Sequence, residues 1–208
     1  MKSQRLAPVK SQRAQKLTPR AYSAAQVEIV KGAQAEQTRL STDLAYRCGL
    51  RAHELLTIRR ISEKEPDKRF HSDGRERNLP TKFKGRVEDS FAYVVTGKGG
   101  LTREIRIPKD LAEKLEARRL DTPRRVTDRG IHYVQHYDLV GGKRFTDSFS
   151  RASTRSLGWS KGAHGLRHSF AQERMREVAP FCPYGQVKET VSQELGHYRP
   201  DITDAYLR

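Results

Sequence analysis

The stretch AHGLRHSFA, residues 163–171, gathers His164, Arg167 and His168 around a glycine at the start of a helix that apolar spacing places from about Leu166 to Val178. Two further stretches share this makeup: CGLRAHELL, residues 48–56, and ELGHYRPDITDAYL, residues 194–207. Each sets a cation or an imidazole beside a glycine or a helix end, where backbone N–H groups can also face a phosphate. The whole chain carries charge for such a partner. Its 208 residues hold 41 Lys and Arg against 25 Asp and Glu, a formal charge of +16. That excess points to a polyanion, with nucleic acid ahead of an anionic membrane surface.

Outward from these stretches, Leu40, Leu44, Ala45 and Cys48 follow helical spacing. A helix is expected from about Ala33 to Tyr46, ended by Gly49 in the left-handed conformation, with a second helix from about Ala52. Residues 59–88 are dominated by charge, Gly and Pro and read as a long exposed connection with room for one short strand. Phe91–Val95 and Leu101–Ile107 read as paired strands. Phe91, Tyr93 and Val95 share one side of the first, and Leu101, Arg103, Ile105 and Ile107 one side of the second. Gly97, Lys98, Gly99 and Gly100 make the turn and put Lys98 at its tip. Pro108 to about Arg119 reads as helix, and residues 121–160 give no clear pattern. Val187, Val191 and Leu195 mark a last helix closed by Gly196. The sum is an α+β fold, mainly α, with a small antiparallel β-sheet. Residues 1–30, rich in Lys and Arg and broken by Pro8 and Pro19, read as a flexible basic arm ahead of a single domain over 31–208.

No stretch approaches the roughly 20 consecutive apolar residues that span a bilayer, and the N-terminus lacks the apolar segment of a secretory signal. A soluble, intracellular protein without a membrane partner is expected. Only Cys48 and Cys182 are present, too few for a disulfide framework and without CxxC spacing, so both read as reduced thiols. His164 with His168, and His132 with His136, have the i, i+4 spacing of a helical metal pair. No HExxH glutamate accompanies them, so no metal is expected and His168 reads as packing within the fold.

Taken in order, the three stretches resemble the G-L-R-x-x-E-L, H-x-L-R-H and L-G-H motifs, followed by a terminal tyrosine, of the tyrosine recombinase or phage integrase family. VVTGKGGLTREIRIP, residues 94–108, resembles that family's β-hairpin, with its G-K-G turn between the first and second motifs. The resemblance covers residues 35 to 208 and implies the helical catalytic domain of a DNA breaking and rejoining enzyme. Position by position, it implies that Arg51 and Arg167 hold the scissile phosphate. Guanidinium forks suit that task because they bind non-bridging oxygens bidentately and stay charged. It implies that Lys98 protonates the departing 5′ oxygen, that His164 assists proton transfer at the tyrosine, and that His197 hydrogen-bonds the phosphate. Glu54 would orient the site. Tyr206, nine residues after His197, would attack phosphorus and leave a 3′-phosphotyrosyl link and a free 5′ hydroxyl. The covalent link keeps the energy of the broken ester, so no cofactor, ATP or metal is implied.

The resemblance further implies double-stranded DNA as partner, a homo-tetramer on two duplexes during recombination, and a DNA-associated protein of bacterial or phage-derived origin. Family members commonly carry a separate helical DNA-clamping domain, whereas only about 30 residues precede the first helix here. A catalytic fragment, a minimal integrase or dependence on an accessory DNA-binding partner is therefore expected. Leu101 stands where a second basic hairpin residue is common. Two other readings compete: a type IB topoisomerase-like relaxer, which would not exchange strands, and a non-catalytic basic DNA-binding protein, which would form no covalent adduct.

Overall fold

Ser23 starts the first helix, α1 (Ala24–Gly32), with a capping box: its hydroxyl accepts from Gln26 N, and the Gln26 side chain accepts from Ser23 N. The structure, a computed structural model, describes residues 18–70, 73–74, 76–86 and 89–207; residues 1–17 of the expected arm lie outside the described residues. The expectation of an arm reaching residue 30 is corrected at its C-terminal end. Tyr22, Val27 and Val30 are buried, and the Tyr22 ring stacks on Trp159 and meets Phe149 edge-on. Burying such side chains stabilises by about 1.5–3 kcal/mol each, enough to hold the segment on the domain despite the basic residues before it.

α2 (Glu36–Arg47) follows, then Gly49 at φ +63 and one turn of 3₁₀ helix, Glu54–Leu56, where a second full helix was expected. β1 (Arg59–Arg60), β2 (Ser90–Thr96) and β3 (Thr102–Pro108) form an antiparallel sheet in that order, with Tyr93 opposite Ile105 and Thr96 opposite Thr102. Tyr93 and Val95 are buried, but so is Val94 between them, and Phe91 is exposed, so the expected one-sided alternation is not seen. The long connection between β1 and β2 is less exposed than its composition suggests. Thr81 is buried against Thr190, and Leu79 N and Phe83 N donate to the side chains of Gln193 and Glu194.

α3 (Lys109–Glu116) leads into the region that gave no sequence pattern. It forms β4 (Arg119–Asp128), β5 (Ile131–Tyr137) and α4 (Gly142–Leu157). His132 and His136 therefore lie on a strand. α5 (His164–Val178), α6 (Tyr184–Glu194) and the short α7 (Pro200–Thr203) complete the fold, with a 3₁₀ turn at Asp204–Tyr206. One apolar cluster joins α1 to α4 with the larger sheet through Leu44, Leu50, Ile105, Leu115 and Phe149. A second joins α5, α6 and the C-terminal turn through Phe170, Val191, Leu195 and Tyr206. α5 contributes Leu166 to the first and Phe170 to the second, so its first turns lie between them. Among the described residues no helix is long and apolar enough to cross a membrane.

Gly49 ties the two halves together. A Cβ there would lie 2.4 Å from Phe170 Cδ1, on a backbone already at φ +63. Gly49→Ala is expected to cost roughly 2–5 kcal/mol, from the left-handed conformation and from overpacking. Urea denaturation would show this as a lower midpoint at unchanged slope, and an unshifted midpoint would contradict it.

Candidate active site

The three glycine-bearing stretches converge because of how their helices end and begin. α6 closes in a Schellman motif: Gly196 N donates to Gln193 O and His197 N to Ser192 O, both at 2.9 Å, with Gly196 at φ +73. This reversal turns His197 back toward α5. Beyond it, α7 and the 3₁₀ turn fold the chain end over α6, held by Lys188 on Asp204 and by Gln172 donating to Tyr206 O. The interval between His197 and Tyr206 is thereby closed to 3.1 Å between His197 Nε2 and the Tyr206 hydroxyl.

Arg167 is the centre of the contacts. Its guanidinium is buried and donates to Gly49 O and Leu195 O, and its Nε donates to the Tyr206 hydroxyl at 3.3 Å. Arg167 Nη2 and Arg51 Nη2 both approach His197 Nε2, at 3.2 and 3.3 Å. Guanidiniums only donate, so Nε2 is the lone-pair nitrogen of a neutral imidazole and the Tyr206 hydroxyl can donate to it. Arg51 is pinned from the other side by Glu54, whose carboxylate accepts from Arg51 Nη1 at 2.9 Å and Arg51 N at 2.8 Å.

Of the residues singled out in the sequence, Arg51, Glu54, His164, Arg167, His197 and Tyr206 are thus brought together. The His164 ring, at the rim, lies 5.5 Å from the Tyr206 ring, and the direct hydrogen-bond partners of the Tyr206 hydroxyl are Arg167, which donates to it, and His197, whose Nε2 can accept from it. Lys98 is exposed at the tip of the β2–β3 turn. It lines, with Arg51, His53, Glu54, Arg69 and Arg103, an adjoining cleft of about 380 Å³. Tyr198, the residue after His197, points away from this cluster: its hydroxyl donates to Asn78 at 2.9 Å, and its ring lies under Arg69.

Burial and the crowd of cations set the protonation. His164 is pushed down to about 4, first by loss of hydration and then by the Arg167 charge, although part of it faces solvent. His197 is pushed down to about 3 by loss of hydration, Arg167 and Arg51. Burial alone would raise the Glu54 carboxyl, but Arg103, Arg167 and Arg51 together hold it well below the usual carboxylate range. At neutral pH the site therefore holds neutral imidazoles, an ionised Glu54 and charged arginines.

Sequence reasoning gave no role to Arg103. This residue is buried, donates to Glu54 Oε2 at 2.8 Å and to Glu194 O at 2.7 Å, and so holds the carboxylate that holds Arg51. Its signal was a charge in the inward register of a strand, beside Ile105 and Ile107. His168, read as a packing residue, lies against the Tyr206 ring with centroids 4.8 Å apart and planes tilted by 48°.

No family model and no curated protein matches this sequence. Solved structures do match in fold. XerH site-specific recombinase bound to palindromic difH substrate, a post-cleavage complex, aligns with a TM-score of 0.57 and 16% identity over 97% of this chain and 52% of that one. The XerH pre-cleavage complex with difH substrate aligns at 0.54 and 15% identity, over 98% of this chain and 54% of that one. XerA recombinase aligns at 0.53 and 16% identity, over 97% and 62%. The chain spans about half to three-fifths of the length of the chains it matches. The fold is the one these recombinases contain, as the helical fold with a small antiparallel sheet led one to expect.

The two depressed imidazoles make stability depend on pH. In the unfolded chain they take up protons near 6.5, in the folded chain only near 4 and 3, so the unfolded state binds more protons across that interval. Stability is expected to fall as pH is lowered through it. Glu54 adds to the loss only below its ordinary value of 4.5. Thermal unfolding followed from neutral pH to pH 4 should show a falling Tm, shallower in His197→Gln, which keeps an acceptor for the guanidiniums. Identical slopes in parent and variant would contradict the assignment.

Proposed function

We propose that the chain is a site-specific DNA recombinase of the tyrosine type, which cuts and rejoins double-stranded DNA through a 3′-phosphotyrosyl intermediate at Tyr206. The observation that carries this reading is the Tyr206 hydroxyl held by Arg167 and His197, on which Arg51 also converges. A phenol, two guanidiniums and an imidazole meeting at one point form a phosphoryl-transfer site. The likeness of the fold to XerH bound to its difH substrate supports the same substrate class.

In the proposed reaction, Arg51 and Arg167 grip the two non-bridging oxygens of the scissile phosphate. The Tyr206 oxygen bonds to phosphorus as the bond from phosphorus to the 5′ oxygen breaks. The phenolic proton passes to an imidazole. His197 Nε2 faces it in the geometry described, and His164 takes over when His197 adopts the tautomer whose Nε2–H donates to the phosphate. Lys98, mobile at its glycine-rich tip, gives a proton to the departing 5′ oxygen. Rejoining runs the same steps in reverse from a 5′ hydroxyl. Glu54 acts through Arg51 as a positioning residue, and Arg103 through Glu54. Strand exchange requires a tetramer on two duplexes, and the helical clamp found in longer relatives would come from an accessory DNA-binding partner or a further domain.

Rapid denaturation of cells expressing the chain, followed by sequencing of DNA that stays attached to it, tests the nucleophile. DNA linked to the parent and absent from Tyr206→Phe is expected; an adduct that survives the substitution would sink the reading. At the site so mapped, Lys98→Ala should slow cleavage by about 10²–10⁴-fold. A substrate with sulfur at the bridging 5′ position should restore the rate, because a thiolate leaves without a proton. Equal loss on both substrates would remove Lys98 from the role of general acid.

A further inference from the structure

The β4–β5 ribbon is the least expected part of the fold, and its tip lies at the candidate active site. Asp128 pairs with Ile131, leaving Arg129 and Gly130 as a two-residue turn with φ at +49 and +75. Such turns need positive φ at both central positions, and the first is ordinarily Asn, Asp or Gly. Here an arginine occupies it, in a conformation that side chains with a Cβ avoid. An arginine fixed in that position calls for an explanation in its charge rather than in its backbone.

The tip is fastened to the catalytic loop. Tyr133 on β5 stacks on His53 with ring centroids 6.3 Å apart, and Gly142 N donates to Ala52 O at 2.7 Å. Asp128 accepts from Lys143 N and so turns its charge to the start of α4, while Asp147 is taken by Lys143. Arg129 lines with Lys98 and His53 a small cavity of about 110 Å³ between the two hairpin tips. Along the outer face of the ribbon, Arg125 and Thr127 stand opposite Val134 and His132, all four exposed. Among the described residues neither Arg125 nor Arg129 forms an ion pair or hydrogen bond with a carboxylate, although Asp147 lies close enough to feel the Arg129 charge.

We infer that the β4–β5 ribbon is a second DNA-binding element, in which Arg129 and Arg125 contact the phosphate backbone beside the scissile phosphate while Lys98 reaches the reacting group from the neighbouring hairpin. The occupant is duplex DNA because the face is cationic, runs into the candidate active site, and has the two-stranded form that a groove of the duplex accommodates. The inference rests on the proposed recombinase reading and adds to it a surface that none of its motifs contains.

The test is fluorescence anisotropy of the full chain with a fluorescein-labelled duplex of mixed sequence, titrated at several salt concentrations. Each lost phosphate contact lowers the slope of log affinity against log salt by about 0.9. Arg129→Asn removes the charge and supplies a residue that suits positive φ, so its Tm should equal or exceed the parent's while the slope falls by about one contact. The double variant Arg125→Ala, Arg129→Asn should lose about two. Arg118→Ala, at the opposite end of the ribbon in a separate cleft against α1 and α2, should lose none. An unchanged slope in the double variant, or an equal loss from Arg118→Ala, overturns the inference. If the parent forms the Tyr206 adduct and the double variant keeps its slope, only this inference falls. If the parent binds no duplex at any salt, both fall.

Discussion

The buried guanidinium of Arg167 is the constraint on which the site depends. Taking such a charge out of water costs several kcal/mol unless its N–H groups find partners. Arg167 finds them in Gly49 O, Leu195 O, His197 Nε2 and the Tyr206 hydroxyl, with the Glu54 carboxylate 4.0 Å away. Two of these acceptors are the carbonyls of Gly49, in the turn before Arg51, and of Leu195, at the end of α6. The three glycine-bearing stretches, separated by more than a hundred residues at their widest, are therefore bound at one cation. Loosening any of the three would leave a buried donor unsatisfied, which is why they hold one geometry.

A second layer of buried charge supports the first. Arg174 pairs with Glu194 through two bonds of 2.8 Å, and Glu194 also accepts from Phe83 N. Gln193 receives Leu79 N, and Thr190 meets Thr81. The polar face of α6 is thus turned inward, where it supplies hydrogen bonds to the main chain of the long connection between β1 and β2. That connection in turn carries Asn78 to Tyr198, the residue just after His197. Buried charged networks of this kind add little to net stability but penalise any arrangement that breaks one partner. Here the network ties α5, which carries Arg167, to α6, which ends at His197.

The legible parts of the sequence were those whose physics is local. Val187, Val191 and Leu195 with a following glycine specify a helix and its left-handed end, and the glycines around Lys98 specify a turn. What escaped was set by partners distant in sequence. α4 has Phe145, Phe149 and Ala152 at helical spacing, but Ser, Thr and Gly crowd the intervals, and its start is fixed by Asp128 from the neighbouring ribbon. The ribbon itself turns on an arginine at positive φ, which no turn rule anticipates. Val27 and Val30 looked like part of a basic arm because the aromatic surface that covers Tyr22, from Phe149 and Trp159, lies more than a hundred residues away. The convergence of Arg51, Arg167, His197 and Tyr206 came from resemblance of motifs; periodicity alone placed each on an element without bringing any two together.

The charge gathered at the site also bears on which state of a phosphate it suits. Arg51, Arg103 and Arg167 against Glu54 leave two positive charges, while His164 and His197 remain neutral at working pH. The guanidiniums of Arg51 and Arg167 share a single imidazole lone pair at distances of 3.3 and 3.2 Å, long for charge-assisted bonds. In the proposed reaction a phosphodiester would offer them oxygen acceptors with a full negative charge, and the pentacoordinate species proposed to form on attack by Tyr206 would offer a second. On that reading the match between site and ligand is completed as the bond to Tyr206 forms. On the proposed reading, an arrangement that binds the diester and gains further as charge develops on it would raise the rate of transfer beyond what uniform binding supplies.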